Sequence, residues 1–168
     1  MTTLYTASVP VFKQLITALG DVLSKAEAHA TDKKIDPNIL LQSRLFPDMF
    51  PLIRQVQIAT DFAKSVPSRL AGIEVPAYDD SEQSFAELQT RIQNVLALLD
   101  GLKAEQIEGK ESLEIVLRAG TPKEKKLTGE TYLLNYGLPQ FFFHVTTAYA
   151  ILRHNGVEVG KRDFMGAY

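Results

Sequence analysis

Phe85-Ala-Glu-Leu-Gln-Thr-Arg-Ile-Gln-Asn-Val-Leu-Ala-Leu-Leu-Asp-Gly-Leu102 is the stretch that decides the fold. Phe85, Leu88, Ile92, Val95, Leu99 and Leu102 recur in strict steps of three and four, so one stripe of a helix is apolar along its whole length. Asp80 with Gln83 three residues later predicts a capping box before it, and Gly101 and Gly109 bracket its end. A helix with one apolar stripe is not stable alone and must bury that stripe against other elements.

The partners lie on both sides. Upstream, Phe12, Leu15, Leu19, Val22 and Ala26 repeat the same spacing, widened by Ile16 and Leu23. Ser8 can cap this helix, Pro10 suits its first turn, and it should fade near His29. Asp36-Pro37 then predicts a second start. Pro47 and Pro51 forbid one clean helix, so the reading is a short helix over 38–44, a break at Leu45–Pro47, and a longer helix from Asp48 to about Leu70. Asp48 would be its cap. Met49, Ile53, Val56, Thr60 and Ala63 form its apolar stripe, and Arg54, Gln57, Asp61 and Lys64 a polar stripe beside it. That polar stripe reads first as a solvated face with helix-spaced pairing, and second as a pocket wall.

Residues 71–80 read as a loop, with Gly72, Pro76 and Asp79-Asp80. Ten residues can still span a bundle, so spacing alone leaves open whether the flanking helices run parallel. Downstream the period changes to two. Leu113, Ile115 and Leu117 alternate with Glu114, Val116 and Arg118, Gly120-Thr-Pro turns the chain, and Lys125–Thr128 returns as a strand. Thr128-Gly-Glu-Thr-Tyr predicts a helical turn. Phe141 to Leu152 is apolar almost all round and should be the most buried helix, stopped by Asn155-Gly156. The apolar tail, Phe164, Met165 and Tyr168, should dock on the bundle or on a second copy. The fold class is therefore mainly α: residues 1–168 as a single four-helix bundle domain with a small β-hairpin before the last helix.

Composition narrows the function classes. The 168 residues include no Cys and three His, which excludes disulfides, thiolate-ligated metals and thiol nucleophiles. A net charge of −2, from 18 Lys+Arg and 20 Asp+Glu, gives no support for a nucleic-acid partner. No apolar run approaches the ~20 residues of a membrane span, and the first residues lack the charged leader and apolar core of a signal peptide. The expected location is cytoplasmic.

Three stretches carry a family resemblance. They are Leu45-Phe-Pro-Asp-Met-Phe-Pro running into Gln55-Val-Gln-Ile-Ala-Thr-Asp-Phe-Ala-Lys; Leu127-Thr-Gly-Glu-Thr-Tyr; and Phe141-Phe-Phe-His-Val-Thr-Thr-Ala-Tyr-Ala-Ile-Leu-Arg-His-Asn-Gly-Val, followed by Gly160-Lys-Arg-Asp-Phe. Together they resemble a bacterial domain-of-unknown-function family within the DinB/YfiT-like superfamily of metalloenzymes. The resemblance implies an up-down-down-up four-helix bundle, commonly a homodimer. It also implies a divalent metal held by one His on the second helix and two His one turn apart on the fourth, and in some members a thiol-dependent transferase or isomerase. Here only His144 matches that metal pattern. The position one turn on is Ala148, and the second helix has no His.

His144 is thus the leading candidate, as a core His bonded to a carbonyl or carboxylate or as a metal ligand or acid–base group. Asp48, Gln57 and Asp61 are its expected neighbours in a small internal polar pocket that would take a small-molecule ligand. Tyr136, Tyr149 and Arg153 are candidates for binding an anionic substrate, against a structural hydrogen bond for the Tyr hydroxyls. His29 and His154 sit at expected helix ends, where the dipole favours a cation. The leading expectation is a cytoplasmic bundle protein with a pocket near His144. The alternative is a degenerate metalloenzyme-like transferase or hydrolase that keeps a weak divalent-metal site at His144.

Overall fold

The computed structural model describes residues 2–168. Helix α1, Val9–Lys33, runs past His29 because Ala30 supplies one more fully buried contact. Lys34 ends it with a left-handed backbone, φ 55°, and its N–H returns to the Ala30 and Thr31 carbonyls. Ser8 stands at the cap but does not cap. Its hydroxyl donates backwards to the Leu4 carbonyl at 2.6 Å.

Asp36 does cap α2, Pro37–Leu41, accepting from the Asn38 N–H at 2.9 Å. This helix stops three residues short of the expected 44. The long helix that follows, α3, is Leu52–Ala71, with Pro51 as its extended N-cap. Asp48 is therefore not a cap but an exposed loop residue. Pro51 disfavours helical geometry at Phe50, so the helix can begin only beyond it. Gly72, φ 68°, closes α3.

Helix α4, Phe85–Gly101, buries Phe85, Leu88, Ile92, Val95 and Leu99, as the periodicity predicts. Its cap is Ser84, whose Oγ accepts from the Glu87 N–H at 3.2 Å, while Glu87 accepts from the Gln83 N–H at 2.5 Å. Asp80 is not the cap, because Arg54 and Arg91 take its carboxylate. A single turn, α5 at Ala104–Ile107, buries Ile107. The antiparallel hairpin follows, β1 Glu114–Leu117 and β2 Lys125–Thr128, with Ile115 paired to Leu127 and Leu117 to Lys125. Ile115 and Leu117 face the core. Packing supplies the stability that an isolated hairpin lacks.

Thr128 caps a continuous helical run. It comprises α6 (Gly129–Thr131), a π-helical segment (Tyr132–Gly137) and α7 (Leu138–His154). Gly137 lets the run press on α3, since a Cβ there would lie 2.7 Å from a Val66 methyl. The last helix is not the most buried. Of its 17 residues in α7 six are buried, against 13 of 20 in α3, and Phe142 and Phe143 face outward. Continuous apolarity there marks an exposed aromatic surface rather than an all-round core. The tail forms α8, Lys161–Met165, and docks on α1. Gln14 donates to the Met165 carbonyl at 2.8 Å, Lys25 pairs with Asp163 at 2.6 Å, and Tyr149 and Phe164 meet edge to face.

Contacts along the long helices fix their directions. Lys13 pairs with Asp100 while Gln89 reaches the Gly20 carbonyl, so α1 and α4 are antiparallel. Val66 meets Gly137 while Gln55 meets His144, so α3 and the last helix are antiparallel. Phe12 meets Phe141 edge to face while Leu19 and Val22 lie beside Val145 and Tyr149, so α1 and α7 are parallel. The order is up-down-down-up. Helices α3 and α4 therefore run parallel, and residues 73–84 must travel back along the bundle.

Candidate functional site

The candidate site is built on one hydrogen-bonded chain between α3 and α7. Gln55, on the buried side of α3, donates from its amide Nε2 to the Phe50 carbonyl at 3.0 Å. That fixes which way the amide points. Its Oε1 then lies 2.7 Å from His144 Nδ1. An amide oxygen only accepts, so Nδ1 carries the proton and Nε2 keeps its lone pair. His144 is half-buried, stacked on Phe62 at 6.3 Å and edge-on to Phe143 at 5.1 Å. Burial, and then the positive charge of Arg54, hold its pKa below the ordinary 6.5. The imidazole is a neutral acceptor of fixed tautomer with aromatic walls.

The expected neighbours are not there. Among the described residues, His144's hydrogen bond and ring contacts are with Gln55, Phe62 and Phe143, and not with Asp48, Gln57 or Asp61. Asp48 stays in the exposed loop before α3. Gln57 is two residues beyond Gln55, about 200° further round the helix, and it faces α4 instead. There it and Asp61 join a charge cluster. Arg91, only 3% exposed, pairs with Asp61 at 2.7 Å, Asp80 at 2.8 Å and Glu82 at 3.0 Å, and donates to Thr60 Oγ1 at 2.6 Å. Arg54 pairs with Asp80, Lys64 with Asp61, and Gln57 bridges Arg54 and Glu82. The Tyr78 ring lies 3.6 Å from Lys64 Nζ and 4.8 Å from the Arg91 guanidinium. The polar stripe of α3 is thus no solvated face, since Gln57 and Lys64 are buried. It clamps the returning segment 73–84. The charges are three against three, so the cluster is neutral overall, with Asp80 Oδ1 buried beside the Arg91 charge but without a hydrogen bond of its own among the described residues.

Tyr149 and Arg153 are also placed elsewhere. Tyr149 packs on Phe164 of the tail. Arg153 is exposed, nine residues from His144 and so about 180° round the helix. They share no site with His144.

The three-His metal centre does not fit this donor set. The residue that α3 presents to His144 is Gln55, Ala148 is fully buried one turn on, and among the described residues no three His, Cys, Asp or Glu are grouped so as to hold a metal ion. Gln55, Arg91, Glu82 and Tyr78 were not singled out from the sequence, and two of them left a signal there. Each of those two was visible as a polar interruption of an apolar stripe: Gln55 between Leu52 and Ala59, Arg91 between Leu88 and Val95.

Comparison with known proteins gives the relationship directly. Residues 4–165 match the profile of a domain of unknown function, DUF1993. The chain is also similar to a DinB family member protein from Shewanella denitrificans, known from a crystal structure. The two are 44% identical over 98% of this chain and 93% of that one, with a TM-score of 0.92. No curated protein matches. Among the described residues no helix is long and apolar enough to cross a membrane. By sequence and by fold, the chain belongs to the DUF1993 family, a branch of the DinB-like superfamily.

Proposed function

We propose that the protein is a cytoplasmic small-molecule-binding member of its family, with His144 as the recognition group and without the three-His metal centre. The observation that carries this is the Phe50–Gln55–His144 chain. It commits Nδ1 to the protein and leaves Nε2 as a lone-pair acceptor for a ligand N–H or O–H. The lowered pKa keeps that nitrogen unprotonated at neutral pH. Phe62 and Phe143 offer apolar surface to the rest of the ligand. A group so held can also accept a proton from an acidic ligand, which is the extent of the acid–base chemistry it supports. The competing reading, a weak divalent-metal site serving a transferase or hydrolase, would rest on His144 Nε2 as its sole imidazole donor.

A thermal-shift screen of a metabolite panel tests this, run on the wild type and on His144→Gln with zinc and manganese titrated in parallel. The expected result is stabilising ligands whose effect is lost in the variant, with no stoichiometric metal. Ligands that stabilise both proteins equally, or one tightly bound zinc per chain, would overturn the proposal.

We also propose that the protein forms a homodimer, and through this same face. Phe50 (56% exposed) supplies the carbonyl that orients Gln55, and Phe143 (55% exposed) lies against His144. Phe46, 63% exposed, belongs to the same loop as Phe50. Of the apolar tail, Phe164 and Met165 dock on the chain's own bundle, while Tyr168 does not dock and is 99% exposed. A second copy on the aromatic face would wall the His144 site.

A further inference from the structure

A cavity of about 360 Å³ opens where the hairpin meets the start of α7. Its lining includes Arg118, Lys123, Lys125, Tyr136 and Gln140, and no carboxylate. The register explains why this is unusual. Lys125 is paired with Leu117, on the bundle-facing side of the hairpin where Ile115 and Leu117 are buried. Alternation calls for an apolar residue there, and a lysine breaks the local pattern. Its Nζ lies 5.8 Å from the Tyr136 ring. Arg118 departs too, with a left-handed backbone at φ 53° that a non-glycine residue adopts at a cost.

The nearby acids Glu124 and Glu114 lie outside the lining. Glu124 accepts from the Gly120 N–H at 2.7 Å, and Glu114 sits with Lys126 on the opposite face of the hairpin at 3.9 Å. Three cations therefore face one cavity with no counter-charge in its lining. Tyr136 and Gln140 add neutral hydrogen-bond donors to them. An oxyanion satisfies this set, because phosphate and carboxylate oxygens accept charge-assisted bonds from Arg and Lys. The volume suits one such group on a small molecule.

The cavity and His144 share a helix face. Gln140 is one turn before His144. Phe62 touches both the Tyr136 ring, at 6.0 Å, and His144. We propose that the hairpin cavity binds the anionic group, phosphate or carboxylate, of a small molecule whose uncharged part extends towards His144. The second half of that statement rests on the His144 reading above; the anion site does not.

Inorganic pyrophosphate is the probe, followed by amide NMR at constant ionic strength, with citrate as the carboxylate arm and chloride as the control. Saturable shifts are expected at Arg118, Lys125 and Gln140 with at least one of the two oxyanions. The arm that saturates identifies the group. Lys125→Gln with Arg118→Gln should weaken that binding at least about tenfold, a loss of ~1.4 kcal/mol, while circular dichroism stays native. Equal affinity in the double variant, or the same shifts with chloride, would overturn the anion site and leave the His144 reading standing. Oxyanion binding together with an Nε2-protonated His144 would do the reverse. The link between the two is read from His144→Gln. Metabolite hits that need both His144 and Lys125 support it, and hits that need only one break it.

Discussion

Arg91 Nη2 lies 2.7 Å from Asp61 Oδ1, and Arg91 is almost wholly buried at the seam between α3 and α4. A buried cation is tolerable only while its partners remain, and here three carboxylates and Thr60 hold it. Arg91→Ala removes the common partner of all three and opens a cavity in the seam. We expect a loss of about 3 kcal/mol, the scale of a broken buried ion pair, read as a lower urea midpoint. A loss under about 0.5 kcal/mol, within the range of ordinary surface substitutions, would show that the cluster is not a clamp.

The same cluster sets an acid limit. Burial alone would raise Asp80 and Glu82, but it is outweighed. For Asp80 the Arg54 hydrogen bond and the Arg91 charge prevail, and for Glu82 the Arg91 and Gln57 hydrogen bonds, so both lie below their ordinary values of 3.8 and 4.5. Groups with depressed carboxyl pKa values stabilise the fold above the unfolded values and lose that contribution as pH falls through them. Stability should therefore drop steeply below about pH 4.5, and the drop should be shallower in Arg91→Met. Urea titrations between pH 5 and pH 3 would show parallel curves for the two proteins if the idea is wrong.

His144 titrates in the other direction of charge. Its folded pKa lies below the ordinary 6.5, so the unfolded chain binds the proton first. Acid then favours unfolding from about pH 6.5 downward, before the carboxylates respond. His144→Gln should flatten stability between pH 7 and pH 5 relative to the wild type. Ring nitrogen shifts should report an Nδ1–H tautomer at neutral pH.

Gly129 has no room for a side chain. A Cβ would stand 2.1 Å from the Lys110 carbonyl oxygen, which is backbone and cannot swing away. Gly129→Ala should cost ~3 kcal/mol, the upper range for overpacking. Gly101→Ala is the matched control, because nothing lies within 4 Å of its Cβ position. It should be neutral or stabilising by up to ~1 kcal/mol, the helix preference for Ala. Thermal melts of the two proteins give the comparison.

The aromatic face makes a concrete claim about mass. Phe50→Ser with Phe143→Ser should convert a dimer to a monomer in light scattering at low micromolar concentration, with the melting curve still cooperative. A wild-type monomer at that concentration would remove the proposed interface.

The helices were legible in the sequence because each long one carries a stripe that water would penalise if turned outward. The hairpin was legible because Ile115 and Leu117 obey a period of two. Caps were less so: Asp80 has the right chemistry for one, yet two arginines distant in sequence claim it. The site was only half visible. His144 stood out by residue type, but its partner did not, since Gln55 and Gln57 look alike until the phase of α3 is known to a single residue. The cluster around Arg91 was hidden for a similar reason. It is assembled from two parallel helices and the segment returning between them, and no local spacing encodes that meeting.

The π-helical segment Tyr132–Gly137 has a geometric consequence for both halves of the proposed binding surface. A π turn holds a surplus residue, so everything beyond it is rotated by about 100° relative to an uninterrupted α-helix. The hairpin lies before that surplus and His144 after it. One residue of extra winding thus acts as the angular offset that sets the basic cavity and the imidazole on the same side of the molecule. A chain one residue shorter there would keep every helix and lose the alignment.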